Sequence, residues 1–197
     1  MKILLVSDKE VPYIWDHFDG EHFKDVEMII SCGDLKAEYL SFLVTMISAP
    51  LFYVPGNHDT SYLTIPPEGC ISISDKIITY KNIRLLGLGG SHFYSKGEFQ
   101  YTERQMKRRV LKLKPAIWLK KGFDILVSHA PAYHLGDGKD LCHEGFESFV
   151  RLIDRYSPKY FIHGHQHLSY NFQPRLTQYK NTTIINAYGY YLLDYNA

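Results

Sequence analysis

Five short apolar runs recur along the chain, and each one ends in polar or ionisable residues. They are rich in branched side chains, which is typical of buried β-strands, and they read KILLVSD, VEMIISCGD, LFYVPGNHD, FDILVSHAP and KYFIHGHQH. Apolar residues with helical spacing lie between them at 37–48, 102–113 and 144–156. Strands that alternate with helices predict an α/β layered fold, in which ligand-binding groups gather at the carboxyl ends of the strands.

Two further stretches show the alternation of apolar and polar residues that is typical of half-buried strands. They span 71–90, with a turn predicted at Asn82, and 174–195. We expect them to add antiparallel strands to the sheets. No repeat, low-complexity tract or linker divides the sequence, so we expect residues 1–197 to form a single domain.

The charges of the chain nearly balance. Lysine and arginine number 22 against 21 aspartates and glutamates, for a net charge of +1, so there is no general electrostatic reason to expect nucleic acid or an acidic membrane as a partner. Residues 104–121 hold eight lysines and arginines. These could grip nucleic acid, but their spacing favours the solvated face of an amphipathic helix. Nucleic acid is therefore an alternative that the charge does not favour, and we expect no membrane partner.

The three cysteines, Cys32, Cys70 and Cys142, are widely separated and odd in number. This pattern matches neither a disulfide framework nor cysteines spaced for zinc. The first apolar run is too short for a signal peptide. An uncharged stretch at 39–57 is interrupted by two prolines, so it predicts a buried helix and a strand rather than a membrane span. We expect a cytoplasmic protein.

The last apolar run ends in histidines at alternate positions, His163, His165 and His167. In an extended segment these side chains share one face unless Gly164 bends the chain, which favours a metal site; a solvated histidine-rich turn is the alternative. The other runs end in further oxygen and imidazole donors. These are Asp8, Asp34, Asn57, His58 and His129. Such donors suit a hard or borderline divalent ion such as manganese, iron or zinc, rather than structural zinc held by cysteines.

The order of these motifs resembles the calcineurin-like metallophosphoesterase family. The matching segments are Asp8, Gly33-Asp34, Gly56-Asn57-His58-Asp59, Ser128-His129 and Gly164-His165-Gln166-His167, with looser echoes in GLGGS at 87–91 and INAYG at 185–189. The resemblance covers most of the chain, and the ordered set is far more specific than any one motif. It implies a four-layer α-β-β-α sandwich, in which two facing sheets are flanked by helices.

The resemblance also implies two divalent metal ions and a role for each motif residue. Asp34 would bridge the ions, and His58 would face the substrate as general acid. The other ligands would be Asp8 and His167 on the first ion, and Asn57, His129 and His165 on the second. Two ions about 3.5–4 Å apart can lower the pKa of a shared water molecule. His163 falls outside the family pattern, so we expect it to be structural.

The sequence departs from the family pattern at SDKE, where Glu10 takes a place that usually holds histidine. A glutamate can bind a metal, and with Asp8 and Asp34 it would favour manganese or magnesium over zinc. The alternative is that Glu10 is solvated or only supports a ligand. Asp59 could orient His58 for catalysis, or it could have a structural role at the start of a helix.

We therefore expect a hydrolase that cleaves a phosphomonoester or phosphodiester in a small-molecule substrate. A metal-bound hydroxide would attack phosphorus in line, and His58 would protonate the leaving oxygen. Manganese is the favoured ion, with iron, zinc and magnesium as alternatives. The loop at 131–145 lies beside the predicted site and could shape the substrate pocket. A nuclease is one alternative function. Another is a scaffold protein that keeps the fold but has lost turnover, an alternative suggested by Glu10 in the place of the usual histidine.

Overall fold

Two β-sheets face each other in the structure, a computed structural model that describes residues 1–168 and 174–196. Its strands are β1 (Lys2–Ser7), β2 (Val26–Ser31), β3 (Leu51–Tyr53), β4 (Ile71–Ser72), β5 (Lys76–Tyr80), β6 (Ile83–Leu88), β7 (Ser91–His92), β8 (Gln100–Tyr101), β9 (Ile125–Ser128), β10 (Tyr160–His163), β11 (Leu176–Tyr179), β12 (Thr182–Asn186) and β13 (Gly189–Asp194). The first sheet has the strand order β13-β1-β2-β3-β4, and the second has the order β11-β12-β10-β9-β6-β5. A short ladder joins β7 to β8.

Helices cover the outer face of each sheet. They are α1 (Pro12–Trp15), α2 (Gly20–Phe23), α3 (Ala37–Met46), α4 (Glu103–Leu119) and α5 (Glu147–Tyr156), with a 3-10 turn at Thr60–Leu63. No helix among the described residues combines the length and the apolar character needed to cross a membrane.

Three clusters of buried side chains define the layers. One lies between the sheets and includes Leu5 of β1 and Val127 of β9. A second packs α3 on the first sheet through residues such as Leu40, and a third packs α4 and α5 on the second sheet through residues such as Met106 and Phe149. Successive residues of a strand point to opposite faces, so each central strand contributes to two clusters. The predicted four-layer α-β-β-α sandwich is confirmed.

The five apolar runs form β1, β2, β3, β9 and β10. The expectation that the half-buried stretches add antiparallel strands is met only in part, because β4, β6 and β12 pair parallel with their neighbours β3, β9 and β10. Strand β5 pairs antiparallel with β6, and β13 pairs antiparallel with β1. Lys81 and Asn82 both have positive φ, 45° and 66°, which suits a two-residue hairpin turn between β5 and β6.

Parallel pairing in the middle of each sheet decides where the polar strand ends lie. Strands β1, β2 and β3 run parallel, as do β6, β9 and β10. Parallel strands bring their carboxyl ends to one edge, where ligands bind in open α/β sheets. The residues that follow β1 and β2 therefore lie at one edge of the first sheet, and those that follow β9 and β10 lie at one edge of the second.

Candidate metal centre

Four predicted ligands from different strand ends lie close together. Asp8 and Asp34 follow β1 and β2 of the first sheet, and His129 and His165 follow β9 and β10 of the second. One ligand atom from each of the four lies within 4.8 Å of the ligand atoms of the other three. The cluster therefore joins the two sheets.

Unusual backbone geometry places three of these side chains. Asp8, Asp34 and His165 have φ values of 62°, 57° and 65°, in the left-handed region that residues with a Cβ rarely adopt. Hydrogen bonds hold these turns, since the His165 backbone N–H donates to both carboxylate oxygens of Asp8 at 3.0 and 2.9 Å, and that of His58 donates to Asp34 Oδ1 at 2.8 Å. Such local strain is concentrated at functional sites.

Two glycines allow the strand ends to approach this closely. A Cβ on Gly56 would overlap Asp34 Oδ1, and a Cβ on Gly164 would overlap Ser7 Oγ and lie 2.6 Å from Asp8 Oδ2. Real Cβ atoms do not approach neighbours so closely. The glycines of GNHD and GHQH are therefore required by the packing of the cluster itself.

Burial and mutual charge set the protonation of the cluster. Burial raises the pKa of Asp8, with His129 opposing this rise and Asp34 adding to it. Burial also opposes ionisation of Asp34, but attraction to His129 outweighs it and holds the Asp34 pKa well below its usual range. For His129 burial disfavours the cation, yet Asp34 and Asp8 raise its pKa to about 9. Burial and the nearby His129 lower the pKa of His165 to about 3. The cluster therefore combines an Asp34 carboxylate, a His129 imidazolium and a neutral His165 imidazole.

The donor set fits a divalent cation. His129 Nε2 lies 3.3 Å from Asp34 Oδ2 and 2.9 Å from Asn57 Oδ1, so oxygen and nitrogen donors converge. The carboxyl groups of Asp8 and Asp34 lie close to one another, and carboxylate, amide and imidazole donors without thiolate suit manganese, iron or zinc.

The other predicted ligands lie around the cluster. Asn57 is buried. The side chain of His167 is 42% exposed, with Nε2 3.9 Å from Asp8 Oδ1 and its ring 4.9 Å from that of Tyr188. His163 is buried and stacks on Phe161, so the three histidines of FIHGHQH do not share one environment.

Glu10 and Asp59 contact backbone and charged groups beside the cluster. Glu10 accepts a hydrogen bond from the Lys36 backbone N–H at 3.4 Å, and its other oxygen lies 3.5 Å from Lys36 Nζ. Asp59 is buried, and its Oδ2 accepts hydrogen bonds from the backbone N–H groups of Asp34 at 2.8 Å and Gly56 at 2.7 Å. It thereby ties the turn after β2 to the GNHD turn.

Sequence reasoning missed one side chain and one carbonyl at the centre. The Tyr94 hydroxyl accepts a hydrogen bond from Asn57 Nδ2 at 3.0 Å, and the Cys142 carbonyl oxygen lies 2.6 Å from His165 Nε2. Tyr94 lies three residues after GLGGS, a weak match to the family pattern. No other sequence feature near Tyr94 indicated a role at the site. Cys142 belongs to the loop at 131–145 that was expected to lie beside the site.

Known proteins share the fold of this chain. No curated protein sequence matches the chain significantly. Among solved structures, TT1561 of Thermus thermophilus is 17% identical, with a TM-score of 0.66, and the alignment covers 98% of this chain and 93% of that chain. A 5'-nucleotidase from Candida albicans is 13% identical, with a TM-score of 0.57 and coverage of 94% of this chain and 44% of that chain. These likenesses concern the fold. A sequence model of the calcineurin-like phosphoesterases matches residues 1–169, and the chain therefore belongs to the calcineurin-like phosphoesterase family.

Proposed function

We propose that this protein hydrolyses a phosphomonoester or phosphodiester of a small molecule with two divalent metal ions. The observation that carries the proposal is the cluster of Asp8, Asp34, His129 and His165, whose ligand atoms converge from both sheets within 4.8 Å. Buried carboxylates and imidazoles at strand ends are what a cation site for phosphoryl chemistry requires.

Each ion would have its own ligands. Asp34 would bridge them, because its carboxylate lies 3.3 Å from His129 of the second ligand set and within 4.8 Å of the Asp8 carboxylate of the first. The remaining ligands would be Asp8 and His167 on the first ion, and Asn57, His129 and His165 on the second. Glu10 would bind the first ion only if its carboxylate lost its contacts with Lys36. The first site is rich in oxygen donors, so manganese is favoured, with iron, zinc or magnesium as alternatives.

The remaining chemistry falls to the chain's own groups. Bound divalent ions of this kind activate water and neutralise charge on phosphoryl oxygens. His58 is exposed while both of its neighbours are buried, and its backbone is fixed to Asp34. It can therefore meet a substrate from solvent and donate a proton to the leaving oxygen. Asp59 would support His58 indirectly, by holding the Gly56 and Asp34 backbones in place.

Hydrolysis of bis-p-nitrophenyl phosphate and p-nitrophenyl phosphate tests the proposal. Protein freed of metal by a chelator should be inactive, and adding Mn²⁺ should restore activity. Asp34→Asn should lower kcat/KM by at least about 10²-fold, because it removes a charge aimed at both ions. Asp154→Asn is the matched control, since Asp154 pairs with Lys180 on the surface. Activity that survives chelation, or an equal loss in both variants, would contradict the proposal.

A further inference from the structure

Two of the proposed ligands have their second ring nitrogen held by a backbone carbonyl. His129 Nδ1 lies 2.7 Å from the Cys32 carbonyl oxygen, and His165 Nε2 lies 2.6 Å from the Cys142 carbonyl oxygen. A carbonyl can only accept, so each of these nitrogens carries the proton. This leaves His129 Nε2 and His165 Nδ1 as the atoms that can bind an ion, in the arrangement that orients histidine ligands in metal sites.

Asn57 has a corresponding contact, but its partner is a side chain. Asn57 Nδ2 donates to the Tyr94 hydroxyl at 3.0 Å, while Oδ1 lies 2.9 Å from His129 Nε2. An amide can bind a cation only through its oxygen. Holding Nδ2 on Tyr94 therefore directs Oδ1 toward the other donors, and this contact, unlike the two carbonyl contacts, can be removed by substitution.

The backbone around Tyr94 is anchored. The buried Gln100 side chain accepts hydrogen bonds through Oε1 from the backbone N–H groups of Tyr94 at 3.3 Å and Ser95 at 2.8 Å. Upstream, the Gly90 N–H donates to the Pro55 carbonyl at 2.8 Å, which fixes this segment against the turn that carries Asn57. The backbone of Tyr94 is thus held in place, although its side chain is exposed.

We propose that Tyr94 is a positioning residue for the metal centre: its hydroxyl holds the Asn57 amide with Oδ1 directed at the donor cluster. The inference rests on the proposed function, since it assumes that Asn57 binds an ion. Outer hydrogen-bond partners of metal ligands typically change metal affinity or activity by about 10–100-fold when removed. Tyr94 acts on the ion through Asn57 and not by direct contact.

Calorimetric titration of metal-free protein with Mn²⁺ tests this role. Tyr94→Phe keeps the ring and removes only the hydroxyl, so it should weaken Mn²⁺ binding by about 10-fold while leaving the thermal unfolding of the metal-free protein close to wild type. Tyr179→Phe is the matched control, because its hydroxyl also makes a hydrogen bond, to Asp154, on the outer surface. This variant should bind Mn²⁺ like the wild type.

A double-mutant cycle with Asn57→Ala separates positioning from other roles. If Tyr94 acts through Asn57, Tyr94→Phe should have no further effect on Mn²⁺ affinity in the Asn57→Ala background. Wild-type Mn²⁺ affinity in Tyr94→Phe, or an equal effect in both backgrounds, would overturn the inference while leaving the proposed function intact. Failure of the wild-type protein to bind Mn²⁺, Fe²⁺, Zn²⁺ or Mg²⁺ in the same titration would overturn both.

Discussion

His58 lies in the GNHD turn between two buried residues, yet its own side chain is exposed. Its neighbours have partners inside the protein. Asn57 contacts His129 and Tyr94, and Asp59 holds two backbone N–H groups. An exposed imidazole on a rigid turn beside the donor cluster can reach a substrate and need not support the fold, so the proposed acid role can be tested by removing the side chain.

His58→Ala should slow hydrolysis in a way that depends on the leaving group. An alkyl phosphoester leaves as a poorly stabilised alkoxide, so the loss of positioned proton transfer should cost about 10²–10⁴ in kcat. A nitrophenolate needs little protonation, so the corresponding nitrophenyl ester should lose much less. The measurement is kcat for both esters, together with metal content by elemental analysis, which should stay near wild type.

His22→Ala is the control for this prediction. His22 is also an exposed histidine, but it lies in α2, before β2 and so at the opposite end of that strand from the site. Its removal should leave both rates unchanged. Equal losses on the two esters for His58→Ala, or a loss that follows metal content, would show that His58 acts as a ligand or a structural residue.

At the scale of secondary-structure elements, Arg84 of β6 joins a strand to a helix. Its Nε donates to Asp124 Oδ2 at 2.9 Å, just before β9. Its Nη1 donates to the carbonyl oxygens of Lys120 and Lys121 at 3.0 and 2.8 Å, which lie at the carboxyl end of α4. One guanidinium thus caps the helix and fixes where it returns to the sheet.

Arg84→Ala should lower the free energy of unfolding by about 1.5–3 kcal/mol, the usual range for hydrogen bonds to charged groups. Arg84 holds the Asp124 pKa below its ordinary value mainly through their hydrogen bond. A carboxyl with a depressed folded pKa stabilises the protein above its unfolded pKa and loses this contribution as the pH falls through the folded value. The difference between variant and wild type should therefore narrow below about pH 4.

Urea unfolding at several pH values measures this difference. Arg151→Ala is the matched control, because Arg151 makes an exposed pair with Glu147 one helical turn away. Such pairs contribute about 0.3–0.5 kcal/mol. Similar losses in the two variants, or a difference that widens in acid, would show that the contact of Arg84 with Asp124 and the helix end is not the stabilising feature.

The end of helix α4 could not be predicted from the sequence pattern. The pattern predicted a helix at 102–113, whereas α4 continues to Leu119 through Pro115. Proline removes a helical hydrogen bond and usually ends a helix, but Ile117, one turn beyond Leu113, is fully buried. Burial of Ile117 and the Arg84 contacts keep this last turn in place, and both depend on tertiary neighbours that lie distant in sequence.

At the scale of the whole molecule, the alternation of strands and helices was sufficient to predict a layered fold. The polar residues after each apolar run were sufficient to predict that ligand-binding groups lie at strand ends. Periodicity could not predict that the carboxyl ends of two separate sheets meet at one edge; only the family resemblance implied it. Hydrogen bonds between residues far apart in sequence hold the left-handed turns at Asp8, Asp34 and His165. The contact between Tyr94 and Asn57 also joins residues far apart in sequence. No local sequence pattern marks these features.

Because the donor cluster draws residues from both sheets, metal binding should stabilise the entire fold. An ion that binds only the folded protein adds about 2.7 kcal/mol at a hundredfold excess over Kd. For a chain of 197 residues this corresponds to a rise in Tm of about 5–10 °C. Differential scanning calorimetry of chelator-treated protein with and without Mn²⁺ measures it. Asp34→Asn should abolish most of the rise, and Asp154→Asn should retain it. If Mn²⁺ left the wild-type Tm unchanged, or raised that of Asp34→Asn equally, the ion would not be bridging the two sheets through this cluster.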